Sequence, residues 1–216
     1  IRLTEQRFVV DYGENPFGIL VAIILSQNTN DKNSIAAIKR LKERIGLTPD
    51  KIAKASISEI IDAIRPAGLI QQKAKRIKKL ADLVINGKLD INEILRMNVE
   101  DARRELIKIE GIGPKTADVF LALFGKRTFG IDTHAARVAR RLGIVGNKAN
   151  YEDIRRAYLQ LFKSVENLDL AHRYIIALGR IWCKAKNPKC KDCPIKEFCE
   201  YWKNKKEGLS SSQSPT

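Results

Sequence analysis

The sequence lacks the long apolar runs that mark membrane proteins. Its longest apolar run, residues 17–25, is too short to cross a membrane and is interrupted by Gly18. The first residues, Ile1 to Arg7, contain no apolar region of the kind found in secretory signals. We therefore expect no membrane partner, and the clustered cysteines described below add the expectation of an intracellular protein.

Acidic residues are in the minority. The chain has 25 Asp and Glu against 40 Lys and Arg, which gives a formal net charge of +15 and a pI near 9.8. Such an excess favours a polyanionic partner, above all nucleic acid. A lysine-rich surface that is simply solvated gives the same count, so charge alone leaves both interpretations open.

Methionine and histidine are scarce as well. One methionine, together with abundant isoleucine, lysine and other charged residues, is typical of thermophile proteins, so we expect a prokaryotic and thermophilic source. His172 lies in an apolar helical pattern and is interpreted as a core residue, with contact to a nucleic-acid backbone as the alternative. The other histidine, His134, belongs to a motif described below.

No cysteine occurs before residue 183, and all four, Cys183, Cys190, Cys193 and Cys199, fall within one short segment. Disulfides that join distant loops would be dispersed, so this clustering predicts a metal site. Four thiolates suit an iron–sulfur cluster or a tetrahedral zinc ion. Structural zinc sites usually have two closely paired sets of cysteines, whereas only Cys190 and Cys193 are paired here, and spacing alone leaves both options open.

Alternating strand patterns are also lacking, and the apolar period is helical almost throughout. Capping and stop residues predict helices after Asn30 or Thr29, after Thr48, Ser56 and Asn98, and further helices over 71–86, 133–142, 150–162 and 168–182. In the 71–86 helix we expect the basic side chains to point outward, and these are Lys73, Lys75, Arg76, Lys78 and Lys79. The sequence predicts an all-α fold of about ten or more short helices.

A glycine-rich turn, Gly111-Ile112-Gly113-Pro114, separates two helical patterns. Gly111 and Gly113 permit positive φ and close backbone approach, and Pro114 suits the first turn of the next helix. Unpaired N–H groups at that helix start form an anion site, which for a DNA partner would hold a backbone phosphate. Lys115 is unfavourably placed there, at the positive end of the helix dipole.

Residues 111–134 resemble the signature of the endonuclease III family of DNA glycosylases, which contains a helix-hairpin-helix motif. The shared features are the G-x-G turn, Lys115-Thr116-Ala117 at the start of the second helix, and Ile131-Asp132-Thr133-His134 after the following loop. The similarity covers roughly residues 10–203, through Asn15-Pro16-Phe17, Ile24-Leu25-Ser26-Gln27, Gly68-Leu69, Lys73-Ala74 and the four cysteines.

The resemblance implies two helical lobes around a DNA-binding cleft. A six-helix lobe with the helix-hairpin-helix motif would cover residues 15–126, and a second lobe would combine residues 1–14 with 127–182. The cysteines of residues 183–203 would hold a [4Fe–4S] cluster, and the serine-rich segment 204–216 would be a mobile tail. The protein would act as a monomer on double-stranded DNA that contains a damaged base or an abasic site.

The family uses a lysine as nucleophile and an aspartate as its essential partner, which by position are Lys115 and Asp132. An ammonium at a helix start is destabilised, and partial burial would add to this, which favours the free amine that attack requires. Asp132 is also a natural N-cap, so the plainer interpretation is that it only begins a helix. The resemblance implies a bifunctional DNA glycosylase and apurinic/apyrimidinic lyase that removes oxidised pyrimidines through a Schiff base and β-elimination.

Two alternatives to this function follow from the same residues. A mismatch glycosylase, for thymine opposite guanine or adenine opposite oxidised guanine, is expected to lack the lysine at position 115. The adenine enzyme also needs a carboxylic acid in its first helix, and residues 23–30 contain none. A non-catalytic, zinc-stabilised DNA-binding module would neither show the colour of a cluster nor cleave the strand.

The resemblance also implies which residues contact DNA. Leu69 matches an apolar wedge that fills the gap left by a flipped nucleotide, with an ordinary buried leucine as the alternative. Either Gln27 or Asn28 would supply a polar filler, and His134 would contact a phosphate or support Asp132. The predicted contact set is Gln27, Asn28, Leu69, Gly111, Gly113, Lys115, Thr116, His134, Lys189 and Lys191. A wider basic face would add Lys73, Lys75, Arg76, Arg137, Arg140 and Arg141.

Overall fold

The computed structural model describes the backbone of residues 8–211, and every regular element within that range is a helix. The predicted all-α fold is therefore confirmed. The chain forms two compact units, which divide in sequence between Phe124 and Gly125. We call them the N-terminal unit and the C-terminal unit. This division lies two residues before the predicted boundary at 126.

The N-terminal unit contains eight α-helices. They are α1 (Pro16–Ser26), α2 (Asp31–Arg44), α3 (Pro49–Lys54), α4 (Ile57–Ala63), α5 (Ile70–Ile85), α6 (Ile91–Arg96), α7 (Val99–Ile107) and α8 (Pro114–Leu123). The unit has two more α-helices than the six expected for its lobe. Helix α3 follows Thr48 as predicted, whereas α6, which follows the N-cap Asp90, was not predicted. Within residues 8–124 the unit also has two short 3-10 helices, Val9–Tyr12 and Arg65–Ala67.

Helix α1 forms the centre of this unit because nearly all of its side chains are apolar. Leu20, Val21, Ile24 and Leu25 are fully buried, and the helix packs against α2, α5 and α8. Its start is fixed by Asn15, whose side chain accepts a hydrogen bond from the Gly18 N–H. The loop that begins with Gln27 and Asn28 follows the end of α1 directly.

Residues 8–14 belong to the N-terminal unit, and their predicted place with the C-terminal helices is wrong. The 3-10 helix Val9–Tyr12 packs against α1 and α2, and Val9 is buried in the same core. A turn this short has no periodicity that would identify its partner, so the sequence pattern could not reveal the packing. Residues 1–7 of the predicted lobe lie outside the described residues.

The C-terminal unit contains α9 (Thr133–Leu142), α10 (Tyr151–Leu161), α11 (Leu168–Ile181) and α12 (Glu200–Ser211). The aromatic rings of Phe129 and Tyr158 stack in its core with centroids 4.6 Å apart. His172 is buried there and meets the Phe129 ring edge-on at 5.2 Å. The interpretation of His172 as a core residue is confirmed.

The cysteine-bearing segment lies between α11 and α12 and contains two short 3-10 helices, Cys190–Asp192 and Lys196–Phe198. Helix α12 runs from Glu200 to Ser211, so residues 204–211 of the predicted tail are helical in this structure. Residues 212–216 of that tail lie outside the described residues. Within residues 8–211, no helix is both long and apolar enough to span a membrane.

Candidate functional site

The glycine turn predicted between two helices connects α7 to α8. Ile109 and Ile112 are buried and fix the turn to the core of the N-terminal unit. Gly111 has φ of +88°, and a Cβ atom there would lie 2.5 Å from Cδ of Arg76. Both the backbone conformation and the close approach therefore require glycine at this position.

Gly113 has a different role from the predicted one. Its φ is −93°, so it does not need a positive-φ residue, and an added Cβ would meet no atom within 4 Å. It is the N-cap of α8 and is exposed, and it offers no side chain to accept the first N–H groups of the helix. The start of α8 is therefore open at the place where the sequence predicts an anion site.

Lys115 lies in the first turn of α8 and is exposed. The expected partial burial of this side chain is therefore wrong for the free protein. The next residue, Thr116, is buried. The helix start thus presents a lysine to the surroundings while its threonine packs inward.

Gln27 connects the end of α1 to the glycine turn. Its Nε2 donates to the carbonyl of Gly111 at 2.8 Å and lies 3.4 Å from Oγ1 of Thr116. Its Oε1 accepts from Nη1 of Arg76 at 3.3 Å. The predicted residues Gln27, Gly111 and Thr116 are thus brought together, and the amide of Gln27 is used within the protein.

The neighbouring Asn28 is exposed and has φ of +52°. Leu69, at the start of α5, is 55% exposed and has φ of +46°. A leucine in the left-handed region is uncommon and costs about 1 kcal/mol or more. The alternative that Leu69 is an ordinary buried leucine is wrong. Both loops therefore hold an exposed side chain on a left-handed backbone.

A buried ion pair joins the two helices of the hairpin. Nε of Arg103 in α7 lies 2.7 Å from Oδ1 of Asp118 in α8, and its Nη2 donates to Oδ2 at 3.1 Å. The Asp118 side chain is fully buried. Sequence reasoning missed this pair, although a lone aspartate among the apolar residues of α8 was a usable signal. Such bidentate pairs fix orientation, so this one sets the geometry of the turn.

The predicted outward direction of the basic residues of α5 is wrong for Lys73. This side chain is only 1% exposed, and its Nζ donates to the carbonyls of Leu25 and Ala67 at 2.8 Å each. Burial lowers the pKa of Lys73 to about 8. Lys73 is therefore removed from the predicted basic face.

In the C-terminal unit, Asp132 is the N-cap of α9. Its Oδ1 accepts from the N–H of Ala135 at 2.7 Å, and the side chain is half-buried. The capping role is confirmed, and it holds one carboxylate oxygen in a fixed place. Lys115 belongs to the N-terminal unit and Asp132 to the C-terminal unit.

His134 is half-buried in the first turn of α9. Its Nδ1 lies 3.0 Å from Nη2 of Arg137, and a Cβ added at Gly179 would meet its Cβ at 2.8 Å. Burial lowers the pKa of His134, and the charge of Asp132 opposes that shift. An arginine only donates, so Nδ1 is the acceptor and His134 is neutral in this arrangement.

The four cysteines are free and half-buried. Burial raises the pKa of the Cys190 and Cys193 thiols, and the charges of the other cysteines act in the same direction. The four thiols belong to one segment of 17 residues, 183–199, and four thiolates are the ligand set of an iron–sulfur cluster. Among the described residues, no three His, Cys, Asp or Glu side chains form a ready site for a single metal ion.

Arginines of α9 support this segment. Arg141 donates to the carbonyls of Lys184 at 2.7 Å and Ala185 at 3.1 Å, and its guanidinium lies 4.8 Å from the centre of the Tyr201 ring. Nε of Arg137 donates to the carbonyl of Cys183 at 2.8 Å. These two arginines, predicted for a basic face, instead hold the backbone around the cysteines. Lys189 and Lys191 in the same segment are exposed.

Two family models match this chain. Residues 21–164 match the HhH-GPD superfamily of base excision DNA repair proteins, and residues 183–199 match the iron-sulfur binding domain of endonuclease III. The chain is 42% identical over 207 residues to endonuclease III of Sulfolobus acidocaldarius, which covers 93% of this chain and 91% of that protein.

Solved structures are similar as well. A trapped covalent intermediate of endonuclease III with DNA matches with a TM-score of 0.74 and 32% identity, over 89% of this chain and 87% of that one. A thermostable thymine-DNA glycosylase matches with a TM-score of 0.74 and 25% identity, over 93% of this chain and 91% of that one.

Proposed function

This chain belongs to the endonuclease III family within the HhH-GPD superfamily, and we propose that Lys115 and Asp132 carry its chemistry on damaged duplex DNA. The family assignment makes the protein a DNA glycosylase and apurinic/apyrimidinic lyase of base excision repair, with DNA as its partner. Its cofactor is a [4Fe–4S] cluster. We infer that its substrates are oxidised pyrimidines and that it works as a monomer inside a prokaryotic cell.

Lys115 is the proposed nucleophile. Its exposed amine stands in the first turn of α8, next to the open start of that helix. The amine forms a bond to C1′ of the flipped nucleotide, and the base leaves with the electrons of the C1′–N bond. The sugar ring opens to a Schiff base, and loss of a C2′ proton then breaks the C3′–O bond. The solved covalent endonuclease III–DNA intermediate supports this route.

Asp132 is the proposed electrostatic partner. Its N-cap bond to Ala135 fixes the carboxylate, so no reorganisation is needed when positive charge develops at C1′. An aspartate that is half-buried acts more strongly on such a charge than a fully solvated one. We also propose that the Asp132 carboxylate lies close to the sugar in the complex with DNA.

The start of α8 is proposed to hold a phosphate of the DNA backbone. Gly113 leaves room for close approach, and Gln27, Arg76 and the Arg103–Asp118 pair keep the turn rigid. A backbone phosphate bound by helix N–H groups is gripped without sequence preference, which suits an enzyme that must search for damage.

Asn28 and Leu69 are proposed to fill the gap that base flipping leaves. Both are exposed on left-handed backbone, at the end of α1 and the start of α5. The Gln27 amide is occupied by Gly111 and Arg76, which favours Asn28 over Gln27 as the polar filler. Leu69 would then act as the apolar wedge.

The cysteines Cys183, Cys190, Cys193 and Cys199 are proposed to hold the cluster, which supplies a rigid anchor for their segment. Arg137 and Arg141 already fix the backbone at Cys183 and at the following residue, Lys184. The exposed Lys189 and Lys191 are then presented to DNA phosphates on a stiff loop.

A mismatch glycosylase is the second candidate, because a thermostable thymine-DNA glycosylase is similar in fold and covers nearly the whole chain. Lys115 argues against it, since a glycosylase without a lysine nucleophile uses water and leaves an intact strand. The zinc-stabilised binding module is not favoured, because the segment matches an iron-sulfur binding domain.

Duplexes with one lesion each test the proposed function. One set contains an oxidised pyrimidine, another thymine opposite guanine, and a third adenine opposite oxidised guanine. We expect base release from the first set, with strand breaks that appear without alkali. Preferential release of mismatched thymine or adenine, with breaks only after alkali, would make the protein a monofunctional mismatch glycosylase.

A further inference from the structure

Lys73 is a buried charge that the proposed chemistry does not use. Its side chain is 1% exposed, so it cannot reach DNA, and its ammonium is taken out of water. Burying an ammonium is costly unless it is hydrogen-bonded, and Nζ meets two carbonyl oxygens at 2.8 Å. Such an arrangement keeps the lysine in one place.

The two carbonyls belong to the two loops that bear the proposed gap-filling residues. Leu25 is in the last turn of α1, three residues before Asn28, and its carbonyl is among those left free at a helix end. Ala67 ends the 3-10 helix Arg65–Ala67, two residues before Leu69. One ammonium thus ties together segments that are 42 residues apart in the chain.

The same lysine also contacts the second loop through its backbone. The N–H of Lys73 donates to the carbonyl of Leu69 at 3.0 Å. Leu69 and Asn28 both hold left-handed backbone, which persists only where surrounding contacts fix it. Lys73 supplies contacts of this kind to the Leu69 loop, and it fixes the end of α1 ahead of Asn28.

We propose that Lys73 is a positioning residue for base flipping, which holds the Asn28 and Leu69 loops at a fixed spacing so that both side chains enter the duplex together. This inference rests on the proposed function of those two residues. It predicts that loss of the ammonium affects steps that need the gap to be filled more than steps that do not.

Lys78, on the same helix α5, provides a matched control. Its Nζ also donates to two carbonyls, those of Ala53 and Ala55, the latter at 2.9 Å. These carbonyls lie at the end of α3, not in either gap-filling loop. Lys78→Met therefore removes a comparable lysine–carbonyl tie and should lower stability without changing base flipping selectively.

The experiment compares two single-turnover rates for wild type, Lys73→Met and Lys78→Met, each checked for folding by thermal melting. One rate is release of an oxidised pyrimidine from a duplex. The other is borohydride trapping on a duplex with a preformed abasic site, where the missing base makes extrusion easy. We expect Lys73→Met to slow base release by about tenfold or more and trapping by at most about threefold, because small misplacements of positioning groups cost large rate factors. Lys78→Met should change neither rate beyond about twofold.

Equal losses in both rates for Lys73→Met, or no loss in either, would overturn the proposal. If Lys73→Met does not fold, Lys73→Arg is the second variant, since its larger planar head cannot occupy the buried ammonium position without shifting both loops. That variant should also lose base release selectively. Equal losses of base release and of trapping relative to wild type would overturn the proposal. Wild-type protein that gives neither base release nor trapping would instead refute the proposed function.

Discussion

At the scale of single residues, Lys115 is exposed at a helix start, whereas Lys73 is buried in the core. The capping role of Asp132 could be predicted because an N-cap depends on residues a few positions away. The burial of Lys73 and the contact of Gln27 with Gly111 could not be predicted. They depend on packing between segments far apart in the chain, which local periodicity does not report.

Gly111 and Gly113 give a matched pair of alanine variants. Gly111→Ala places a Cβ against Arg76 on a backbone of positive φ, so we expect it to reduce the free energy of unfolding by about 1–3 kcal/mol. Gly113→Ala should change that free energy by less than about 1 kcal/mol while it weakens DNA binding, because its Cβ enters the space left open at the helix start. Urea unfolding and DNA titration separate the two effects, and equal destabilisation by both variants would contradict the account.

The buried ammonium of Lys73 predicts a pH dependence of stability. Its pKa in the folded protein is about 8, below the ordinary value of 10.5, so the unfolded chain binds more protons between these values. The free energy of unfolding should therefore rise with pH across this window, by roughly 3 kcal/mol at most. The carbonyls that contact Nζ do not titrate. Urea unfolding of wild type and Lys73→Met should show this rise as a difference between the two proteins, and a constant difference would contradict it.

At the scale of helices, most helix starts could be predicted from their capping residues. Asn30, Ser56, Asn98 and Asn150 each accept a hydrogen bond at the helix start predicted for them. Helix α3 was predicted from Thr48 and Pro49, whereas α6 is too short for an apolar period to separate it from a loop and was not predicted. Caps are local and strong signals, whereas short helices exist through packing against their neighbours.

The hairpin depends on the pair of Arg103 and Asp118. Asp118→Asn removes the buried carboxylate and leaves the nearly buried Arg103 guanidinium with Glu100, whose side chain is 59% exposed, so we expect a loss of about 3 kcal/mol in the free energy of unfolding. The double variant Arg103→Met with Asp118→Leu removes both charges and should be much less destabilised. Urea unfolding checks both, and a single variant that is no less stable than the double one would contradict this role.

At the scale of the whole molecule, the positive charge, the cluster segment and the two helical units fit one DNA-binding enzyme. The family could be identified from the sequence because the turn, the Lys115–Asp132 spacing and the cysteine spacing are each local patterns. The packing of residues 8–14 on the N-terminal unit could not be predicted, because it depends on the burial of Val9 against helices that are distant in the sequence.

The net charge of +15 predicts DNA binding that weakens steeply with salt. If Lys189 and Lys191 each neutralise one phosphate, changing either to alanine should reduce the slope of log K against log salt by about 1. Fluorescence anisotropy of undamaged duplex over a range of salt measures the slope. Lys54→Ala, in α3, serves as the control for the loss of one positive charge. Equal slopes for all three variants would show that Lys189 and Lys191 do not contact DNA phosphates.

The central claim is that Lys115 forms the covalent bond to DNA, and borohydride trapping tests it most directly. Purified protein is mixed with a duplex that contains one abasic site and is treated with borohydride, and the covalent adduct is resolved on a denaturing gel. We expect an adduct with wild type and with Lys108→Ala, whose lysine is exposed at the end of α7. We expect none with folded Lys115→Ala. An undiminished adduct with Lys115→Ala, or none with wild type that binds the duplex, would contradict the role of Lys115.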